Sequence, residues 1–194
     1  RKGEWSVRLY AEAMTPSSPR WMQGAKEMVE SASEDEVIEG LAEHISEVLM
    51  TDENLIIWGS GGTLTRIGGI CGLDPTLLGI DASIGKIQVG KDLDEAGLLE
   101  LLEGHNGGVT MLLSPMGGQG FLIGRGNLQI SPAVLQMAGP DSVLGVCTPS
   151  KLLSIRMLRI ETGDDELDSH YSEMKYLKVL QGYRTTRILP ISVD

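Results

Sequence analysis

The stretch that decides the fold runs from Val109 to Asn127 and reads VTMLLSPMGGQGFLIGRGN. Five glycines fall between positions 117 and 126, directly behind the apolar run 109–113. This order predicts a strand that opens into a loop. Glycine serves where the backbone adopts positive φ or approaches a ligand closely, and it leaves the backbone N–H groups unobstructed. The loop is therefore expected to hold an anion.

The residues behind this loop favour the same interpretation. Ser131 and Pro132 supply an N-cap and a first-turn proline for a helix predicted over residues 132–137, and helix N-termini attract phosphate. Arg125 offers a forked cationic donor. The alternative is that the glycines only form tight turns. Neither G-x-G-x-x-G nor G-x-x-x-x-G-K-[ST] is present, so the pattern predicts an anion site without specifying the ligand.

Composition limits the class of protein. The chain has 194 residues, of which 41% are hydrophobic and only 4% aromatic, so the core is expected to be aliphatic, as suits buried parallel strands and their covering helices. A net charge of −11 disfavours nucleic acid or an anionic membrane as partner. No apolar run is long enough to span a bilayer, and we expect a cytoplasmic protein with free thiols at Cys71 and Cys147. No zinc-type ligand spacing occurs, so no metal cluster is predicted.

Outward from the glycine-rich stretch, short aliphatic strands alternate with helices. A capping box at Ser33 and Glu36 begins the clearest helix, and Asp92 or Asp94 is expected to cap another. Helices are predicted over residues 33–50, 64–71, 92–102 and 132–137, and strands over 5–14, 55–58, 76–81, 109–113, 143–148, 158–162, 176–181 and 185–191.

This alternation predicts an α/β, Rossmann-like layered domain with a mostly parallel sheet, preceded by an N-terminal strand segment and ending in a C-terminal β-hairpin. We divide the chain into an N-terminal strand and loop segment, residues 1–32, and an α/β nucleotide- or phosphate-binding domain, residues 33–194. Ligands of such sheets bind beyond the carboxyl ends of the strands, where both glycine-rich loops are expected to lie.

The string from Leu112 to Asn127, with Ile130-Ser131-Pro132 behind it, resembles the divergent acetoin-catabolism-protein-X-like branch of the ATP-NAD kinases. The resemblance covers almost the whole chain, in the family's order. The other matching segments are Ser6 to Tyr10, Gln23-Gly24, Gly59 to Thr65, Leu77 to Asp81, Thr148 to Leu152, Leu158 to Asp164 and Gln181 to Tyr183.

One motif of the family is missing. Members that phosphorylate NAD carry G-G-D-G-T in their amino-terminal domain, and this chain has no such motif. The resemblance therefore implies the carboxyl-terminal half of an ATP-dependent NAD kinase, with residues 1–32 as the remnant of the junction to a missing domain. We expect this polypeptide alone to lack NAD kinase activity.

The resemblance also implies ligands and site residues. It implies ATP and NAD, with Mg²⁺ as a possible cofactor, and we expect a nucleotide as the small-molecule partner and a homo-oligomer. Asp81 and Asp164 are candidate catalytic residues, as partners of a metal or hydroxyl, although each could instead order a turn, as could Asn127. The expected nucleotide-binding residues are Gly59, Gly61, Gly62, Thr63 and Thr65 in the first loop, and Gly117, Gly118, Gly120, Gly124, Arg125, Gly126 and Asn127 in the second.

Two other functions remain open from the residues. The loop Gly59 to Thr65 also resembles the phosphate loop of sugar-phosphate isomerases, deaminases and related effector domains. A non-catalytic ligand-sensing or dimerising module is the third possibility. Ordinary NAD kinases have a β-rich carboxyl-terminal half, whereas the alternation here predicts α/β, and we follow the alternation.

Overall fold

The computed structural model describes residues 33–193, which form nine strands and six α-helices. The strands are β1 Asn54–Trp58, β2 Asp81–Ile84, β3 Ile87–Gly90, β4 Gly108–Leu113, β5 Phe121–Ile123, β6 Val143–Val146, β7 Leu158–Ile160, β8 Tyr176–Gly182 and β9 Thr185–Val193. The helices are α1 Glu34–His44, α2 Gly62–Ile70, α3 Glu95–Glu103, α4 Pro132–Ala138, α5 Pro149–Leu152 and α6 Asp165–Met174. A π-turn, Ile45–Leu49, continues α1, and a 3₁₀ turn, Pro140–Ser142, precedes β6.

All described strands belong to one sheet in the order β3-β2-β1-β4-β6-β8-β9-β7-β5. Its centre, β1-β4-β6-β8, is parallel. The hairpins β2-β3 and β8-β9 and the pair β1-β2 are antiparallel. The structure thus confirms the predicted α/β class, the mostly parallel sheet and the C-terminal hairpin. The strand predicted over residues 5–14 lies outside the described residues, and the division at residue 32 stays a prediction.

The predicted helix starts are also present. The Ser33 hydroxyl accepts a hydrogen bond from the Glu36 N–H at 3.3 Å, and the Glu36 carboxylate accepts one from the Ser33 N–H at 3.0 Å. Asp94 caps α3 and Ser131 caps α4, each accepting from the backbone three residues on. Caps of this kind stabilise a helix by about 1 kcal/mol each, which explains why these boundaries are readable from sequence.

The strand predicted over residues 76–81 is wrong. Strand β2 begins only at Asp81, and the residues before it form a loop. Both oxygens of the Asp81 carboxylate accept backbone hydrogen bonds, from Thr76 at 2.6 Å and from Asp92 at 3.0 Å, which holds the loop closed. The apolar residues that suggested a strand, Leu77 and Leu78, are 57% and 79% exposed. The elements β2-β3, β5, α5 and α6 were not predicted.

Both faces of the central strands are buried. On β1, Leu55 and Ile57 pack in one core cluster, whereas Ile56 and Trp58 pack in the other. Helices α1 and α2 cover the second cluster, and α3, α4 and α6 cover the first. A parallel sheet between two helical layers has this pattern. Within residues 33–193, no helix combines the length and apolarity required to cross a membrane.

The sheet curves back on itself through its longest strand. The first part of β9 pairs with β8, and its last residues pair with β7, which in turn pairs with β5. Leu122 and Ile123 of β5 consequently share a core with Leu55 of β1, although five strands separate β5 from β1 in the sheet order. This curvature brings the glycine-rich segment around β5 next to the loop that follows β1.

Candidate functional site

The carboxyl ends of β1, β4 and β6 meet at one edge of the sheet. Trp58 pairs with Leu112, and Leu113 pairs with Gly145, so the three strands end almost level. The Gly59 N–H donates to the Leu112 carbonyl at 2.9 Å, which continues the pairing into the first glycine-rich loop. Ligands of open α/β sheets bind beyond such an edge. The structure therefore places the start of both predicted loops at the edge where folds of this class bind ligands.

The two loops touch each other. The Ser60 hydroxyl lies 3.5 Å from the Gly126 carbonyl oxygen, at the outer limit of a hydrogen bond. Next to this contact, a Cβ on Gly126 would lie 2.7 Å from the Met116 sulfur. The segment before Gly117 is thus adjacent to the first loop. Predicted site residues from positions 59–65 and 117–127 lie in one region.

The first loop ends in a helix with unused donors. Helix α2 begins at Gly62 without a side-chain cap, and the first intrahelical bond is donated by Thr65. In the described structure, the N–H groups of Gly62, Thr63 and Leu64 therefore have no acceptor. Exposed N–H groups at a helix start, together with the helix dipole, favour an anion.

Other residues of the first loop shape it. The N–H of Gly61, at φ +113°, donates to the Leu77 carbonyl at 2.8 Å. The Thr65 hydroxyl is shared between the Gly61 and Thr76 carbonyls at 3.2 and 3.1 Å. A Cβ on Gly59 would lie 2.9 Å from the Leu113 side chain. These contacts hold the loop against its neighbours, and only Gly61 and Gly62 have open space where a Cβ would stand.

The glycines of the second segment fall into two groups. At Gly120, Gly124 and Gly126, φ is positive and a Cβ would stand 2.5–2.7 Å from an atom of Met157, Glu161 or Met116. At Gly117 and Gly118, a Cβ would meet nothing within 4 Å. Chain packing requires the glycines at 120 and 124, where the near atom is a backbone carbonyl. At Gly126 the near atoms belong to the flexible Met116 side chain, and the φ of +89° accounts for the glycine. The second group is exposed, and at Gly118 neither packing nor a positive φ explains the missing side chain.

Asn127 closes the turn of the second segment. It is buried, with 4% of its surface exposed. Its Oδ1 accepts from the Gly124 N–H at 3.0 Å, and its Nδ2 donates to the Leu122 carbonyl at 2.9 Å. The structure thus shows the turn-forming role for this side chain.

Arg125 already has partners. Its Nε lies 3.6 Å from a Glu161 carboxylate oxygen, and its guanidinium stacks 4.7 Å from the centre of the Phe121 ring. The side chain is 71% exposed. A carboxylate on one side and a ring on the other reduce its availability for an anionic ligand.

The two candidate aspartates differ in what their carboxylates bind. Asp81 is 2% exposed, and both of its oxygens accept from the chain, including the Thr76 hydroxyl at 3.0 Å. Asp164 caps α6 through Oδ1, which accepts from the Glu166 and Leu167 N–H groups at 3.1 and 3.0 Å. Its Oδ2 has no hydrogen-bond partner among the described residues. No hydrogen bond in residues 33–193 joins the two aspartates.

Sequence reasoning missed a lysine at this edge. Lys151, on α5 behind β6, donates from Nζ to the Ser114 hydroxyl at 3.2 Å, directly behind β4. The hydroxyls of Thr148 and Ser150 lie 3.1 Å apart on the same turn. The available signal was the position of Lys151 after a predicted strand, but only the pairing of β4 with β6 brings it to Ser114.

A polar groove of about 480 Å³ adjoins the open tip of the second segment. Gly118 and Gln119 form one side of it, and Arg156 and Arg159 contribute two guanidinium groups. The Arg159 guanidinium stacks on the Phe121 ring, 4.8 Å from its centre. Arg125 stacks on the same ring. The groove therefore extends the glycine tip toward positive charge.

The described residues contain no cluster of three or more histidine, cysteine or acidic side chains that could hold a metal ion. Cys71 and Cys147 are free. Cys147, at the end of β6, is fully buried, and burial raises the pKa of its thiol to about 11. Burial likewise raises the pKa of Cys71 to about 11. Both thiols are protonated at neutral pH, which makes them poor nucleophiles.

Comparison with known families gives one match. A family model described as the ATP-NAD kinase C-terminal domain matches residues 51–191, from the turn before β1 into β9. The chain has no match among curated proteins and none among solved structures. The matched span includes the three-strand edge, both glycine-rich loops and every predicted site residue.

Proposed function

Because this chain belongs to the ATP-NAD kinase C-terminal domain family, we propose that it forms the phosphate-binding part of a nucleotide site for phosphoryl transfer from ATP to NAD. Within that family we place it in the divergent acetoin-catabolism-protein-X-like branch, on the motifs quoted from its sequence. The substrates follow from the family, and the site follows from the geometry at the edge of β1, β4 and β6.

One observation carries the proposal. Two pairs of glycines, Gly61 and Gly62 in the first loop and Gly117 and Gly118 in the second, have open space where side chains would stand. Both loops lie at the same sheet edge, and they touch through Ser60 and Gly126. Phosphate groups bind where unobstructed backbone N–H groups converge. Open glycines on two contacting loops supply such a surface. In the first loop the donor is Gly62, because the Gly61 N–H already donates to the Leu77 carbonyl.

The chemistry required is positioning and charge neutralisation, since phosphoryl transfer leaves little covalent work to the protein. The three N–H groups at the start of α2 that have no acceptor among residues 33–193 supply donors, with Thr63 beside them. Mg²⁺ is usually held by one or two carboxylates together with substrate phosphates, so a three-ligand protein cluster is not needed. Asp164, whose Oδ2 has no partner within the described part of the chain, is the proposed contact for the ion or the acceptor hydroxyl.

Asp81 has a more restricted role in this proposal. Because both of its oxygens are hydrogen-bonded, it would have to release Thr76 or Asp92 before it could bind a ligand. Its proposed contribution is to hold the loop 76–80, whose Leu77 carbonyl in turn fixes Gly61. The contribution of Thr65, through its bond to Thr76, is of the same kind.

The test is a thermal-shift titration of this chain with Mg²⁺-ATP, NAD, NADP, glucose 6-phosphate and ribose 5-phosphate. A ligand that binds only the folded state raises its stability by RT ln(1 + [L]/Kd), about 2.7 kcal/mol at a hundred times Kd. We expect stabilisation by at least one of the three nucleotides and none by the phosphosugars. Stabilisation by a phosphosugar alone, or by none of the ligands, would overturn the proposal.

We also propose a homo-oligomer located in the cytoplasm. Large apolar side chains at Leu77, Leu78 and Ile87 are 57–79% exposed, and β3 is an edge strand. Exposed apolar residues on a sheet edge favour association. Light scattering of the purified chain tests the oligomeric state. A monomer at all concentrations would exclude the homo-oligomer.

A further inference from the structure

We propose that Lys151 is the cationic ligand of the site and that it binds the diphosphate group of the nucleotide. The inference rests on the proposed nucleotide site and assigns to it a residue outside both glycine-rich loops.

Lys151 reaches from one strand end to the next. It is carried by α5, which follows β6, and its Nζ lies 3.2 Å from the hydroxyl of Ser114, the first residue after β4. Ser114 precedes the open glycines Gly117 and Gly118 by three and four residues in the same loop. The ammonium group is therefore held at the carboxyl edge of the parallel strands, on the loop whose tip is open.

The Lys151 ammonium contacts a hydroxyl, whereas three other described cations pair with carboxylates. Lys91 pairs with Asp74, Arg66 with Asp35, and Arg125 with Glu161. Among residues 33–193, no carboxylate forms a salt bridge with Lys151, and its hydrogen bond goes to a neutral oxygen. In a chain with a net charge of −11, an ammonium group without a carboxylate partner is available for an anionic ligand.

The surroundings hold the lysine in place. Ser114 and Thr148 are 6% and 4% exposed, so the hydroxyls at the base of the site are fixed by packing. The Lys151 carbonyl accepts from the Ser154 hydroxyl at 2.8 Å, and Ser154 lines the groove that contains Arg156. A second cation, Arg156, lies five residues further along the chain, in the groove that Gly118 also lines. Two cations on one short segment suit a diphosphate better than a single phosphate.

The experiment titrates inorganic pyrophosphate, and separately NAD, into the wild-type chain and into Lys151→Gln by calorimetry. Glutamine keeps a donor for Ser114 and removes the charge. The control is Lys91→Gln, which removes a lysine already paired with Asp74. Lys151→Arg serves as the conservative variant, and a thermal melt of each protein establishes that it is folded.

We expect Lys151→Gln to bind pyrophosphate about ten- to a hundredfold more weakly, the range for one hydrogen bond to a charged group. Lys151→Arg should stay within about threefold of the wild type, and Lys91→Gln should be unchanged. The affinity should also fall with added salt in the wild type, and less steeply in Lys151→Gln.

Equal pyrophosphate affinity in the wild type and Lys151→Gln would overturn the assignment, as would the absence of pyrophosphate binding to the wild type. A further variant, Arg156→Gln, is titrated in the same way. A loss of pyrophosphate affinity in Arg156→Gln but not in Lys151→Gln would place the diphosphate in the groove and overturn the assignment to Lys151. The NAD titration separates this inference from the proposed function: pyrophosphate binding that depends on Lys151, without NAD binding, retains the anion site and refutes the NAD assignment. If Lys151→Gln does not fold, the ratio of the pyrophosphate affinities of Lys151→Arg and a Lys151→Met variant answers the same question.

Discussion

The two halves of the second glycine-rich segment look alike in sequence and differ in structure. In the half from Gly120 to Gly126, three glycines avoid collisions with Met157, Glu161 and Met116. In the half at Gly117 and Gly118, the same residue type faces open space. The first half is explained by the fold alone. In the second half, a φ of +62° accounts for Gly117, whereas Gly118 needs another explanation, and a ligand that approaches the backbone provides one.

This difference separates residues that build the loops from residues that we propose as ligand contacts. Gly124 and Asn127 belong to the building group, because each is engaged with the chain. Gly62, Gly118 and Lys151 belong to the contacting group, because the chain leaves them open or bound to a neutral group. Substitutions in the first group should lower stability, and substitutions in the second should lower affinity.

The largest expected effect on stability is that of Gly124→Ala. A Cβ would stand 2.6 Å from the Glu161 carbonyl at a φ of +111°. Overpacking costs about 1–3 kcal/mol and the left-handed backbone a further 1–2, so we expect a loss of about 2–5 kcal/mol in urea unfolding. A loss below about 1 kcal/mol would remove the packing explanation for this glycine.

The second largest effect should be that of Asn127→Ala, which we expect to lower the free energy of unfolding by about 2–4 kcal/mol. The substitution leaves the Gly124 N–H and the Leu122 carbonyl without partners, and each unsatisfied buried group costs about 1–3 kcal/mol. Leu128→Ala is the control, because Leu128 is the next residue and is 79% exposed. Equal stability of the two variants would show that Asn127 does not hold the turn.

A smaller effect should appear with pH at the buried end of β6. Burial raises the pKa of the Cys147 thiol to about 11, whereas the unfolded chain ionises near 9. The folded state therefore keeps the proton longer, and the stability that this contributes is complete below pH 9 and is lost as pH rises to 11. We expect the stability of Cys147→Ala to fall less than that of the wild type over this interval. An identical fall would mean that this thiol is accessible to water.

The smallest effect on stability should be that of Gly118→Ala. The Cβ meets no atom within 4 Å and the backbone φ is not in the left-handed region, so the change should lie within about 0.5 kcal/mol. Urea unfolding beside Gly124→Ala measures the contrast directly. Destabilisation of both variants by similar amounts would contradict the division of the segment into two groups.

Local signals explain which parts of the fold were predictable. The helix starts at Ser33, Asp94 and Ser131 depend on bonds to residues three positions away, and such bonds are encoded in a short window. The strand predicted over residues 76–81 was wrong because Leu77 and Leu78 look like a buried run. What prevents the strand is the Asp81 carboxylate bound to Thr76 and Asp92, a set of contacts that no short window contains.

The site shows the same limit. The glycine-rich pattern indicated Arg125 as a nucleotide-binding residue. Its pairing with Glu161, however, depends on the register of β5 against β7. Lys151 was not predicted as a site residue, because its contact with Ser114 depends on β6 lying beside β4. Composition and spacing located both loops, whereas the choice of cation required the long-range pairing of strands.

The most direct test of the central claim compares two alanine substitutions on one helix. Gly62 and Gly69 lie on α2 with open space at both Cβ positions, but only Gly62 is at the site. NAD and Mg²⁺-ATP are titrated calorimetrically into the wild type, Gly62→Ala and Gly69→Ala. We predict that nucleotide affinity falls about tenfold or more in Gly62→Ala and is unchanged in Gly69→Ala, with both proteins as stable as the wild type. Equal nucleotide affinity in all three proteins would contradict the claim that the open glycines contact the phosphates.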